Sequence, residues 1–174
     1  MPTTYTLISS TVLGSSQTSV NISSIPSTYT DIVLQCMIRT DRGSAIDTDN
    51  IKATFNNDTT SLYSFGGIGG SGTSAFGNGS ANQVRTIIGG ATASGSTANT
   101  FASAEIYIPN YTSTVNKQIG SVIMQENNLS AAYMQLDGNL YRNTSAISSI
   151  QLSPVVGPNI IAGSSFYLYG IKNS

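Results

Sequence analysis

Apolar and polar residues alternate with a period of two along most of this chain, and almost nowhere with the 3.6-residue period of a helix. The alternation predicts strands over 4–8, 18–22, 31–40, 51–56, 83–88, 101–108, 117–126, 131–136, 148–153 and 165–171. Turn-forming residues separate them: Pro26, then Asp41, Arg42 and Gly43, then Asn56, Asn57 and Asp58, then Pro109 and Asn110, then Gly157, Pro158 and Asn159. Asp137 and Gly138, between Leu136 and Leu140, read as a tight hairpin turn or, alternatively, as a bulge within one long strand. The one stretch with helical character, 130–136, is too short to stand without tertiary support. Residues 66–100 are dominated by Gly, Ser, Ala and Thr, with Val84, Ile87 and Ile88 as a compact apolar group, and are expected to form one or two long loops around a short strand. About eight to ten short strands at this spacing predict an all-β fold. The expected architecture is an antiparallel β-sandwich, jelly-roll-like, a single domain over 1–174 with a long Gly/Ser-rich loop region.

Three strands are apolar on both faces. In 31–40, Ile32, Leu34, Cys36 and Ile38 share one face, while Val33 and Met37 stand on the other beside Gln35 and Arg39. In 117–126, Ile119 and Ile123 oppose Val122 and Met124; in 165–171, Phe166 and Leu168 oppose Tyr167, Tyr169 and Ile171. A solitary sandwich keeps its outer faces polar, so something is expected to cover these, either the chain's own Gly/Ser-rich loops or another subunit. Val33, Met37, Val122 and Met124 are the candidate subunit contacts, and a homo-oligomer, with a trimer as the guess, is the expected state.

Composition narrows the function more than it defines it. Of 174 residues only 9% are charged, the net charge is -1, and there is no His. Seven scattered cations cannot neutralise a phosphate backbone, so no nucleic-acid partner is expected. No apolar run approaches the ~20 residues of a membrane helix, so no membrane partner is expected either. Without His, every Ser-His-Asp or Cys-His nucleophile arrangement is excluded. Cys36 is the sole cysteine, so it can form no intramolecular disulfide, and it reads as a buried thiol. No secretory signal is apparent, so synthesis in a cytoplasm is expected.

The motifs that could carry chemistry fail on context. Gly67–Gly72 spells G-x-G-x-x-G, yet no helical pattern follows to place a helix N-terminus against a pyrophosphate. Asp47, Asp49 and Asp58 fit positions 1, 3 and 12 of a calcium loop, but Ile51 and Lys52 occupy the positions that need an oxygen ligand and a glycine. Glu105 and Glu126 lie in separate strands and form no acid/base pair. Six N-x-S/T sequons are about what such a composition yields by chance. Tyr107, Tyr111, Tyr133 and Tyr141 could form a sugar-stacking platform, but such residues are more often half-buried in strands. No catalytic, cofactor-binding or metal-binding residue is therefore expected, and the chain is not expected to be an enzyme.

The segments YTLISS at 5–10, FASAEIYIPNYT at 101–112, ENN at 126–128 and FYLYGIKNS at 166–174 together resemble a group of tailed-bacteriophage virion proteins, frequent in phages of aquatic bacteria including cyanophages. The C-terminal segment is the most specific part, and 66–100 looks like the variable portion. The resemblance implies a structural component of the virion, assembled in the host bacterial cytoplasm, with no cofactor and no enzymatic role. Its expected partners are the major capsid protein or other virion proteins. A single domain with no elongated, repetitive shaft favours a capsid decoration or cement protein over a fibre. The alternative is a tail, neck or receptor-binding appendage that contacts host surface glycans.

Overall fold

The computed structural model describes residues 4–43, 46–126 and 132–173. Among the described residues the chain forms twelve strands and no helix. They are β1 (Tyr5–Val12), β2 (Val20–Ile22), β3 (Asp31–Ile38), β4 (Thr48–Phe55), β5 (Tyr63–Ser71) and β6 (Ser74–Gln83), followed by β7 (Thr86–Thr92), β8 (Ala102–Ile108), β9 (Lys117–Gln125), β10 (Tyr133–Tyr141), β11 (Ile150–Pro154) and β12 (Ser165–Ile171). An eight-stranded sheet runs β1-β12-β3-β8-β9-β10-β5-β6, and a four-stranded sheet runs β2-β11-β4-β7. Every strand pair is antiparallel. The protein is thus an all-β sandwich, with twelve strands against the eight of a simple jelly roll.

The period-two pattern builds the core directly. Ile32, Leu34, Cys36 and Ile38 of β3, with Ala104, Ile106 and Ile108 of β8, turn one face of the large sheet inward. Val20 and Ile22 of β2, Ile51, Ala53 and Phe55 of β4, and Ile150 and Leu152 of β11 meet them from the small sheet. Burying each such aliphatic or aromatic side chain contributes roughly 1.5–3 kcal/mol. Cys36 lies in this core as a free thiol, and burial pushes its pKa far above the ordinary thiol value. One end of the sandwich is closed by aromatic packing: the Tyr63 and Tyr141 rings stack at 4.8 Å, and Phe55 lies 5.6 Å from Tyr141. Tyr63 accepts from the Phe55 amide and donates to the Asp58 carbonyl, while Tyr141 donates to the Asp58 carboxylate.

Two buried cations tie down the connections. The Arg39 guanidinium donates to the carbonyls of Ser96, Thr97 and Thr100, gathering the β7–β8 loop around it. Lys117 Nζ donates to the carbonyls of Ser113, Val115 and Asn143. These connections are thereby held by backbone oxygens on charged donors, which are stronger bonds than neutral ones.

The structure corrects the sequence reading at two places. Residues 66–100 are not mainly loop: β5, β6 and β7 occupy most of them. β5 and β6 form a hairpin whose turn, Gly72–Thr73, begins with Gly72 at φ 58°, as the first position of a II′ turn requires. Glycines mask their alternation, facing inward at Gly67 and Gly69 of β5 and outward at Gly77 and Gly79 of β6. A Cβ on Gly67 would lie 2.0 Å from Asp137 Oδ1, and one on Gly69 would lie 2.3 Å from the Phe76 ring. Nor do Asp137 and Gly138 form a hairpin turn or a bulge. They sit in the middle of β10, which pairs with β9 and β5 without a shift in register at either residue. Residues 133–136 are strand and not helix; 130 and 131 lie outside the described residues.

Candidate functional site: an outward-facing apolar sheet

β10 is built inside out. Gln135, Asp137 and Asn139 are at most 2% exposed and point between the sheets, whereas Met134 and Leu136 face solvent at 57% and 53%. Strand register normally follows the apolar face inward, so the buried polar side must be held by specific bonds. Gln135 donates to Asp137 Oδ1 at 2.6 Å, and the Thr86 hydroxyl donates to Asn139 Oδ1 at 2.5 Å. Asp137 Oδ2 has no hydrogen-bond partner among the described residues, and burial raises the carboxyl pKa above the ordinary aspartate value. Gly67 of β5 and Gly89 of β7, the latter at φ 111°, leave room on either side for this carboxyl.

The outer face that results can be read row by row through the register. One row runs Ser165, Met37, Ser103, Met124, Met134, Gly70, Ala75 across β12, β3, β8, β9, β10, β5 and β6. The next runs Tyr167, Gln35, Glu105, Val122, Leu136, Ile68, Gly77, and a third ends Gly120, Gly138, Gly66, Gly79. Three of the chain's four methionines therefore stand in one row, Met124 beside Met134 and Met37 beyond Ser103. Met37 is 51% exposed, Met124 49% and Ile68 67%. Two adjoining shallow depressions, ≈ 710 Å³ and ≈ 510 Å³, share Val122 and follow these rows. With strands ~4.8 Å apart and rows ~6.8 Å apart, these two rows from β3 to β5 cover on the order of 400 Å² in projection, with Met37, Met124, Met134, Val122, Leu136 and Ile68 as their apolar members. Glu105, bonded to Gln35, is the one charge in the two apolar rows.

Of the four expected contact residues, Met37 and Met124 are exposed and share a row, and Val122 is half-buried beside them. Val33 lies on the same face but is 2% exposed, flanked in register by Tyr107 and Tyr169, and so offers no surface to a partner. Met134, Leu136 and Ile68 were missed. The first two stand on a strand whose polarity is inverted, and Ile68 lies among glycines that resemble loop. The signal available in sequence was the spacing Met134, Leu136 against Gln135, Asp137, Asn139, an alternation as regular as any other in the chain.

The remaining motifs resolve into structure. Gly67–Gly72 runs along β5 into its turn. Asp49 accepts from the Gly157 amide and lies 3.8 Å from Arg42, whereas Asp58 accepts from Thr60 and Tyr141. Tyr111 and Tyr141 are fully buried and Tyr133 stacks on Phe76, which leaves Tyr107 as the open member of the four tyrosines considered for sugar stacking. Compared with known proteins, the chain matches no family model and no curated protein.

Proposed function

We propose that this protein is a structural component of a tailed-phage virion, a decoration or cement protein on the capsid exterior that works by contact alone. The observation that carries the reading is the methionine row, flanked by Leu136 and Ile68, on a face that the chain's second sheet does not cover. Methionine is unbranched and polarizable, and it adapts to a partner surface better than branched side chains do. Supporting it are the sequence segments that resemble virion proteins and a net charge of -1, which leaves little repulsion between packed copies. The partners under this reading are the major capsid protein or neighbouring virion proteins, together with further copies of the chain.

Quantitative mass spectrometry of purified virions tests the assignment. Hundreds of copies per particle are expected of a decoration protein; a dozen or fewer would move the protein to the tail or neck, and none would end the virion reading. For the surface itself, Met124→Asp is expected to leave thermal unfolding of the free protein within ~0.5 kcal/mol of the parent, because the site is exposed. The same change is expected to weaken attachment at least tenfold, since a carboxylate buried without a partner costs several kcal/mol. Unchanged occupancy on stripped and reloaded particles would remove this face from the contact.

A further inference from the structure

The large sheet ends on β6, and among the described residues no strand pairs with that edge. Of the four sheet edges, β2 is three residues long, β7 is buried throughout, and β1 is interrupted by a register shift between Leu7 and Ser9. β6 has ten residues, pairs with β5 on one side, and is exposed along nearly its whole length. A free strand edge presents a row of unpaired N–H and C=O groups, and natural sheets defend such edges with charge, proline or bulges. Here the defences are few. No charged residue and no proline occurs between Asp58 and Arg85, and the register shift opposite Tyr63 and Phe65 leaves Ser74–Ser80 regular.

We infer that β6 is a strand-addition site whose occupant is β6 of a second copy, antiparallel about a two-fold axis through Gly77. This rests on the edge and not on the virion reading. The sequence is complementary to itself in that arrangement. Gly77 meets its own symmetry mate, Ala75 meets Gly79 and Phe76 meets Asn78, while Ser74 meets Ser80, so no like charges or bulky pairs oppose each other. The outward glycines fit this role. A Cβ on Gly77 would find its nearest neighbour, the Gly67 carbonyl, at 3.6 Å, so its absence is not demanded by the chain's own packing. Joined this way, two eight-stranded sheets become one of sixteen strands, with the Ile68 and Leu136 rows continuing across the axis.

The contact is small. Seven paired residues a side bury on the order of 500 Å², below the ~1,000 Å² of a free-standing interface, so pairing is weak in dilute solution and strengthens where copies are held close together. A covalent trap suits such a contact. Directly opposed residues of antiparallel strands have Cα atoms ~4.5–5.5 Å apart, within the range that a disulfide spans. Cys36 is buried, so Gly77→Cys supplies a single accessible thiol, and Gly14→Cys, also in open space, serves as the control. At ~100 μM under mild oxidation, the Gly77→Cys protein is expected to form disulfide dimers at least tenfold faster than the control. Sedimentation of the unsubstituted chain at the same concentration is expected to show a weak dimer, and Gly77→Lys to abolish it through like charges at the axis. Equal trapping rates for the two cysteine variants would overturn the inference. So would an association that Leu136→Asp removes and Gly77→Lys leaves intact, because that pattern assigns the contact to the outer face.

Discussion

Glycine at neighbouring positions of β5 and β10 has opposite consequences. Gly67 faces inward, where an added Cβ would collide with Asp137 Oδ1 at 2.0 Å, while Gly138 faces outward with its nearest neighbour at 3.9 Å. Gly67→Ala is therefore expected to destabilise the protein by ~1–3 kcal/mol, and Gly138→Ala to stabilise it by ~0.5 kcal/mol, the ordinary gain from replacing a strand glycine. Thermal unfolding reads both, at roughly 2–4 °C per kcal/mol for a chain of this size. Asp137 adds a dependence on pH. Burial raises its folded-state pKa above the unfolded value, so between the two values the folded chain binds more proton than the unfolded one. Stability from this group is full below pH ~4 and declines as pH rises through the folded pKa. Asp137→Asn is expected to flatten that decline and to stabilise the protein at pH 7 relative to the parent. Asp58 acts in the opposite window. Hydrogen bonds led by the Thr60 hydroxyl lower its pKa, and the stability it contributes is lost as pH falls below the ordinary 3.8. A single slope across both windows in chemical denaturation would contradict the assignment.

At the scale of elements, the strands that were legible in sequence are those whose apolar residues face the chain's own core. β3, β8, β9 and β12 announce themselves through Ile32, Leu34, Ile106, Ile123 and Leu168. β5 and β6 were not legible, because glycines break their alternation: Gly67 and Gly69 of β5 face inward, where only the three-dimensional neighbours Asp137 and Phe76 explain them, and Gly77 and Gly79 of β6 face outward. β10 was cut short at Leu136 because Asp137 and Gly138 carry turn chemistry that ladders on both sides override. The candidate surface was half visible for the same reasons: Met37, Met124 and Met134 lie on expected strands, although the outward facing of Met134 was not read, and Ile68 lies in a segment expected to be loop. Loops held by cations give an independent check. Arg39→Met strips the donors from the carbonyls of Ser96, Thr97 and Thr100 and is expected to release the segment 94–100 to fast amide exchange while β3 and β8 stay protected. Equal protection in the variant would show that the loop holds itself.

The whole molecule is a two-layer slab with its polarity divided unusually: one sheet face meets the other sheet, and the opposite face of the larger sheet carries apolar side chains outward. With a net charge of -1 and one carboxylate in the apolar rows of that face, its contacts should change little between 50 mM and 1 M salt, whereas a charge-steered attachment would weaken. The central claim is that this face is covered in the working particle. Oxidative footprinting of methionine tests it most directly. Met37, Met124 and Met134 are expected to oxidise readily in the free protein and to be protected together on the intact virion; equal oxidation of all three in both states would contradict the account.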